Sequence, residues 1–510
     1  MSLRRNIIAN YASQFYVALI GIVILPLYLR YMGPEAYGLV GFFTMLQAWF
    51  NLLDIGLTPT VARETARFRA GAIDALIYRR LVRALQVVFL VVAVSGGCGL
   101  FVSAPFVARD WLNIQMLALE EVQFAVQIMA IGAATRWMCG FYRAAISGSE
   151  QFVWLARYNA FIATLRFIGV LPFLIFIDSS PRLFFSYQLF VALVELGGLM
   201  QKTNRMLPPL QSSCRVGWSV EPIRGVLKFS ITIAFTSGLW IAVTQTDKLL
   251  LSKLLPLSEY GFFSLAVLLA SVVLMAASPV ATALTPRLAR LEAEKKEASF
   301  IRLYREATQL VCIIALPIAF TLAVFAEPVL LTWTGDLSAA KTATRPLQLY
   351  ALGNSILTVG AFPYYMQYAK GDLRLHLLGS VMFLALLMPL MIWGSLNFGA
   401  QGAGWVWLGV NLCYFFAWIP IVHHKFAPGL HWRWLGRDVA LLALTAGATV
   451  WCLSLFMESV KGFLAPMFIA VFIGGLTVLA TVLVSSVSGR LRLNILLSLV
   501  YSIRLWVWKK

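Results

Sequence analysis

Ionisable and amide side chains are rare inside apolar sequence, and where they occur they point to a substrate path or an ion relay. This chain carries a small set of them. Asn10 and Gln14 lie one helical turn apart in the first apolar stretch. Gln47, Asn51 and Asp54 follow at steps of four and three, which puts them on one helix face. Later stretches hold Gln123, Gln127 and Arg136; Asn159 and Arg166; Gln188 and Glu195; and the run Thr244-Gln245-Thr246-Asp247-Lys248. Arg136, Arg166 and Lys248 can supply positive potential to an anion, and the planar fork of arginine suits phosphate in particular. Asn10 and Gln14 would line the same cationic cavity. Asp54, Asp247 and Glu195 could bind H+ or Na+ and compete with an arginine for pairing. Simpler readings stand beside these. Arg166 and Glu195 also fit an ion pair within one bundle, Asp54 could meet Arg63 or water, and Asp247-Lys248 could be an interface anchor.

Enzymatic chemistry finds little support. There is no Ser/His/Asp set, no phosphate-cradling glycine loop and no run of metal ligands. Cys98, Cys139, Cys214, Cys312, Cys413 and Cys452 are scattered without a Cys-x-x-Cys, and the adjacent rings of His423-His424 diverge on a helix. Neither disulfides, a metal nor any other cofactor is expected.

The elements that must position these groups are apolar runs of about 20 residues, long enough to cross a hydrocarbon core of ~30 Å. The 510 residues are 60% hydrophobic and only 12% charged, against roughly 25% in a soluble protein. Without period-2 alternation such runs are helices. Fourteen are expected: 7–29, 36–57, 81–103, 118–140, 152–177 and 183–201; then 226–251, 258–284, 306–331, 344–369, 373–395 and 400–422; then 438–457 and 463–486. The chain thus divides into a six-helix lobe at 1–201, a cytoplasmic linker at 202–224, a second six-helix lobe at 225–424, an extra helix pair at 425–490 and an amphipathic interfacial tail at 491–510.

The two lobes are copies. Leu57-Thr58-Pro59-Thr60-Val61-Ala62-Arg63 returns as Leu284-Thr285-Pro286-Arg287-Leu288-Ala289-Arg290, 227 residues later. Tyr37-Gly38 returns as Tyr260-Gly261, Ile77-Tyr78-Arg79 as Leu303-Tyr304-Arg305, and Ala130-Ile131-Gly132 as Ala351-Leu352-Gly353. The order is kept and the offset drifts only slightly, as in a duplicated unit. Six helices per copy is an even number, so both copies start on the same side and form parallel repeats. Arg63 and Arg290 end the repeated motif. They either stop a helix and snorkel or latch the lobes at an inner gate. The charged stretches after them, Glu64 to Arg80 and Leu291 to Arg305, read as helices on the membrane surface.

The excess of 41 Lys+Arg over 22 Asp+Glu is a topology signal rather than a nucleic-acid footprint. With both termini inside, inner segments hold 31 of the basic residues and outer loops seven, as the positive-inside rule requires. Arg4-Arg5 precede an apolar stretch without a small-residue cleavage site, so the first helix is expected to stay as an anchor.

Three stretches carry a resemblance. They are Leu25-Pro26-Leu27-Tyr28-Leu29-Arg30 with Met32-Gly33-Pro34-Glu35-Ala36-Tyr37-Gly38; Leu53-Asp54-Ile55-Gly56-Leu57; and Asp247-Lys248-Leu249-Leu250-Leu251 with Glu259-Tyr260-Gly261. Together they resemble the Wzx-type polysaccharide transporters, flippases of the MOP superfamily. The resemblance implies a V-shaped pair of lobes around a cationic cavity. It implies alternating-access movement of undecaprenyl-diphosphate-linked oligosaccharide across a bacterial inner membrane, for O-antigen or exopolysaccharide assembly beside a polymerase machinery. The alternatives are a lipid II flippase of MurJ type or another MOP exporter. The first lacks support in Leu29-Arg30-Tyr31, where an Arg-Asp pair is expected. A multidrug exporter fits poorly with two intramembrane arginines. A polytopic glycan-processing enzyme would need acids in a first outer loop or a large outer domain, and Arg30 to Glu35 offers one acid.

Overall fold

The computed structural model describes residues 3–54, 56–208, 221–458 and 466–487. The expected interfacial tail at 491–510 and the 209–220 part of the linker lie outside the described residues. Helices follow one another as α1 (Leu3–Met32), α2 (Pro34–Phe50), α3 (Leu57–Arg69), α4 (Ala75–Phe106), α5 (Leu119–Gly148), α6 (Phe152–Phe167), α7 (Leu171–Phe176), α8 (Pro181–Met206), α9 (Glu221–Leu254) and α10 (Leu257–Ala270). Next come α11 (Val272–Ala293), α12 (Glu297–Val324), α13 (Ala326–Thr334), α14 (Leu337–Gly360), α15 (Phe362–Ala369), α16 (Arg374–Phe426), α17 (His431–Trp434), α18 (Leu441–Glu458) and α19 (Pro466–Val487). Among the described residues there is no strand, only one isolated bridge between Asn113 and Pro256.

Ten helical stretches among the described residues are long and apolar enough to cross a membrane. The chain is an all-α polytopic membrane protein, although that count does not establish fourteen spans. One reason is local. The expected spans 373–395 and 400–422 share the 53-residue α16, which is broken at Gly399, φ 55° and ψ −137°. Only glycine takes that conformation readily, and the chain folds back there. Gly379 packs against Trp418, residues that a straight helix would hold ~58 Å apart.

The surface helix expected from Glu64 to Arg80 is two elements instead. α3 stops at Arg69, and Asp74 then caps α4 by accepting the backbone N–H of Leu76 at 2.9 Å. The competing cap ends the amphipathic run and places Arg79 and Arg80 in the first turns of a long apolar helix. The two repeated prolines also differ in setting. Pro59 sits in the first turn of α3, where no intrahelical donor is needed, whereas Pro286 lies inside α11.

The chain forms two compact units, Met1–Ser264 and Leu265–Lys510. In the first, α5 packs on α3, α4 and α8, α1 on α6, and α9 on α2 and α4. In the second, α12 packs on α11 and α14, and α14 on α16. By the repeated motifs α4 corresponds to α12 and α5 to α14, so equivalent helices meet equivalent neighbours inside each unit. The repeated tyrosines serve both as buried anchors. Tyr78 shares a hydrogen bond of 2.9 Å with the Thr65 hydroxyl, and Tyr304 one of 2.7 Å with His423 Nε2.

Two features are particular to one unit. In the first, α2 and the start of α10 touch through the repeated glycines. A side chain on Gly38 would collide with the Leu257 carbonyl oxygen, and one on Gly261 would lie 2.9 Å from the Pro34 carbonyl oxygen. In the second, the added α17–α18 segment is fixed to α12 by a charge. Asp438, wholly buried, accepts from Arg305 at 2.5 and 3.0 Å and from Gln309 at 2.6 Å. Beside it the Trp434 ring, also wholly buried, donates to Thr308 Oγ1 at 3.1 Å.

Candidate functional site

The first unit brings two of the expected cationic residues together. α5 carries Arg136, which donates to Gln47 Oε1 of α2 at 3.1 Å and to Gln188 Oε1 of α8 at 2.9 Å. Its guanidinium carbon lies 5.2 Å from the centroid of Phe43, a cation–π distance. Arg166, in the last turn of α6, is tied to the same group, because Gln188 Nε2 donates to its carbonyl oxygen at 3.1 Å. Its guanidinium stands 5.9 Å from the Phe167 ring. Tyr28 of α1 donates to the Phe167 carbonyl at 2.8 Å and so pins the end of α6.

The electrostatic balance is the notable property. Glu195 is 3% exposed and accepts from Arg143. The pair considered from sequence, Glu195 with Arg166, is therefore not the one formed. Neither Arg136 nor Arg166 has an ion pair among the described residues, and the Nε of each is buried without a hydrogen-bond partner. All four charged groups lie within electrostatic reach of one another. Three guanidinium groups thus share one carboxylate. Neutral amides and a ring hold the Arg136 guanidinium, and a ring stands beside that of Arg166, without cancelling either charge, which leaves an anion as the natural missing partner.

The charge count along the sequence assigns Arg143 to an inner loop; in the structure it lies on α5, which runs on to Gly148. A signal for it exists in the sequence. Arg136 and Arg143 are seven apart, as are Gln188 and Glu195, and both bonded pairs are separated by 52 residues. A constant difference is what two helices running in the same direction produce, with contacts two turns apart.

The remaining expected residues lie elsewhere. Asn10 and Gln14 are on the exposed face of α1, while Ser13 between them donates to the Ala156 carbonyl of α6 at 3.0 Å. Lys248 of α9 donates to the Thr244 carbonyl at 2.6 Å and to its neighbour Asp247 at 3.2 Å. Asp247 is 2% exposed. Asp54 accepts from the Thr58 backbone N–H at 3.1 Å and the Thr58 hydroxyl at 2.6 Å, so it begins α3 within the repeated motif. Arg63 is exposed on α3, and Arg290 bonds Glu294 on its own helix at 2.6 Å. Glu35, singled out only through the resemblance, is 7% exposed and accepts three backbone N–H groups from residues 115–117.

Several solved structures share this fold. The lipid II flippase MurJ in an inward closed conformation superposes with a TM-score of 0.72 at 12% identity, covering 95% of this chain and 99% of that one. An inward-facing multidrug-resistance MATE family transporter of the MOP superfamily gives 0.64 at 14% identity, over 80% and 94%. A MOP superfamily transporter from Pyrococcus furiosus gives 0.53 at 14% identity, over 83% and 94%. No curated protein matches in sequence. The polysaccharide biosynthesis protein family matches residues 28–337, more than half of the chain, including α5, α6 and α8 with Arg136 and Arg166. With a MOP fold around a charged polar seam, the chain belongs to the polysaccharide biosynthesis protein family.

Proposed function

We propose that this protein is a flippase that moves undecaprenyl-diphosphate-linked oligosaccharide repeat units across the bacterial inner membrane for O-antigen or exopolysaccharide assembly. The observation that carries the reading is the half-buried pair Arg136 and Arg166, each with a buried, unbonded Nε, whose described guanidinium contacts are the neutral amides and ring beside Arg136 and the ring beside Arg166. A diphosphate supplies the absent negative charge. The glycan cannot enter hydrocarbon without solvation, while its polyprenyl tail can stay in lipid. Family membership supports the substrate class, and the MurJ likeness supports a lipid-linked headgroup as cargo. Lipid II carries the same diphosphate linkage, so it is the alternative cargo. In this reading the protein is not an enzyme, works by alternating access and keeps both termini cytoplasmic. Glu195 is the acid best placed for H+ or Na+ coupling, since neutralising it would free Arg143 for the anion. Asp54 and Asp247 remain the other candidates.

The test uses purified protein in liposomes holding a fluorescent undecaprenyl-diphosphate-linked trisaccharide, with a membrane-impermeant quencher reporting transfer between leaflets. Arg136→Met and Arg166→Met should each slow transfer about tenfold or more, the consequence of losing a charge-assisted hydrogen bond worth ~1.5–3 kcal/mol. Transfer at the wild-type rate in both variants would overturn the cationic-site claim. Formation of a new glycan product by detergent-solubilised protein would replace the flippase reading with an enzymatic one.

A further inference from the structure

Between α4 and α5 the chain leaves its helical path at Trp111 and runs from an extended Leu112 to an extended Ala118. This short segment is bonded on both sides. On one side Glu35, in the first turn of α2, accepts the backbone N–H of Gln115 at 2.6 Å, of Met116 at 2.8 Å and of Leu117 at 3.0 Å. On the other side the Asn113 carbonyl accepts the Leu257 N–H at 3.0 Å, and Trp111 Nε1 donates to the Ser252 hydroxyl at 3.0 Å. Lys253 Nζ stands 5.1 Å from the Trp111 ring. The segment therefore ties α2 to the junction of α9 and α10, the first two helices of the second repeat.

Its composition of contacts is unusual for a structural loop. Met116, the middle one of the three residues bonded to Glu35, is 91% exposed, so this part of the segment is held by polar bonds to backbone, while Leu112, at 4%, is its apolar anchor. One carboxylate serves three of those bonds. Such a joint can part and reform without exposing a packed core, which a hydrophobic seam cannot do. Beneath it, α2 and α10 are in backbone contact at Gly38 and Gly261. No headgroup can pass between the starts of these two helices while that contact stands.

We propose that residues 111–117 are a strap that closes this end of the bundle, that the Glu35 carboxylate is its lock, and that the strap must release once in each transport cycle. The release step rests on the flippase reading; the strap and its lock do not.

The experiment uses the full-length chain in a background lacking the six native cysteines. For the lock, spin labels at Met116→Cys and Glu259→Cys report the separation of the strap from α10. The parent should show one dominant short distance. Glu35→Gln removes the charge but keeps the size, and should raise the long-distance population about tenfold or more, as expected when several hydrogen bonds to a charged acceptor become neutral ones. An unchanged distribution would overturn the assignment of Glu35. For the release step, Asn113→Cys/Pro256→Cys joins the bridged pair, whose spacing suits a disulfide's usual Cα separation of ~4.4–6.8 Å. Oxidation should abolish transfer of the fluorescent lipid-linked trisaccharide, and reduction should restore it. Equal transfer in oxidised and reduced protein would overturn the release step. If the reduced protein and its parent move no cargo while the Glu35→Gln distance shift is seen, the flippase reading fails and the strap stands.

Discussion

Asp438 offers the sharpest test of what holds the added C-terminal segment in place. It is wholly buried and, among its interactions, accepts two hydrogen bonds from Arg305 and one from Gln309. Asp438→Ala strands the Arg305 guanidinium, whose side chain is 21% exposed, and removes the partner of Gln309 Nε2. Gln309 Oε1 is already buried without a partner, so the amide would lose its one bond among the described contacts. Breaking a buried pair from one side costs about 3–5 kcal/mol. Because Arg305 can reach some water, the lower end, about 3 kcal/mol, is expected. At about 2–4 °C per kcal/mol for a domain of this size, the second unit should melt about 6–12 °C lower. Intrinsic fluorescence during heating in detergent is a direct readout, since Trp434 packs in the same core. The double variant Arg305→Met/Asp438→Leu should recover most of the loss, because replacing both charges by apolar groups is often neutral or better. A melting temperature for Asp438→Ala within about 2 °C of wild type, or a double variant no better than the single, would refute the argument.

Three further outcomes follow from described contacts. Glu195→Ala should destabilise more than Arg143→Ala, because it leaves three guanidinium groups without their shared carboxylate, whereas Glu195 in Arg143→Ala keeps Arg136 and Arg166 within reach; melting curves of the two variants decide it. Gly38→Ala should cost about 1–3 kcal/mol or more through overpacking against the Leu257 carbonyl, seen as a lower melting temperature, whereas Gly99→Ala, with nothing nearby, should not. Outside the membrane, hydrogen bonds from Lys296 and then Arg290 hold the Glu294 carboxyl down to about 2, from an ordinary 4.5. A depressed carboxylate contributes above its unfolded value and loses that contribution as pH falls toward the folded one. Amide protection in the last turn of α11, taken relative to the intrinsic exchange rate at each pH, should therefore fall as pH is lowered from about 4.5 to 2 in the wild-type chain, and Glu294→Gln should flatten that dependence.

The helical class and the duplication were legible in the sequence because both are written locally. Apolar length reports a span, and Leu-Thr-Pro with Ala-Arg recurs in order. The break in the Glu64–Arg80 stretch is not legible in the same way, since its amphipathic period continues through Asp74 and only the cap reveals that the backbone restarts. The two arms of α16 do read as separate spans on either side of Gly399, although the backbone there stays helical almost to the turn. For the site, Arg136 and Arg166 could be singled out by depth alone. Their partners could not, because pairing depends on which faces of α5 and α8 meet. The seven-residue spacing on both helices carried that information, but it becomes readable only once the two are known to be neighbours. Glu35 was hidden for a related reason: its partners are backbone amides, which leave no mark in residue type.

The contact between the repeated glycines has a historical meaning. Gly38 meets Leu257, Gly261 meets Pro34, and Pro34 stands to Gly38 as Leu257 stands to Gly261. Residue i touching j while the copy of j touches the copy of i is the rule of an isologous interface. In an ancestor with a single repeat, the same contact would join two identical chains across a two-fold axis, glycine against glycine. With both copies in one polypeptide, the two sides can change independently. Arg136 and Arg166 have Leu357 and Leu387 at the positions 221 residues further on, the offset of the Ala-x-Gly match, so this pair of cations belongs to one half alone. A symmetric dimer could not have confined it there.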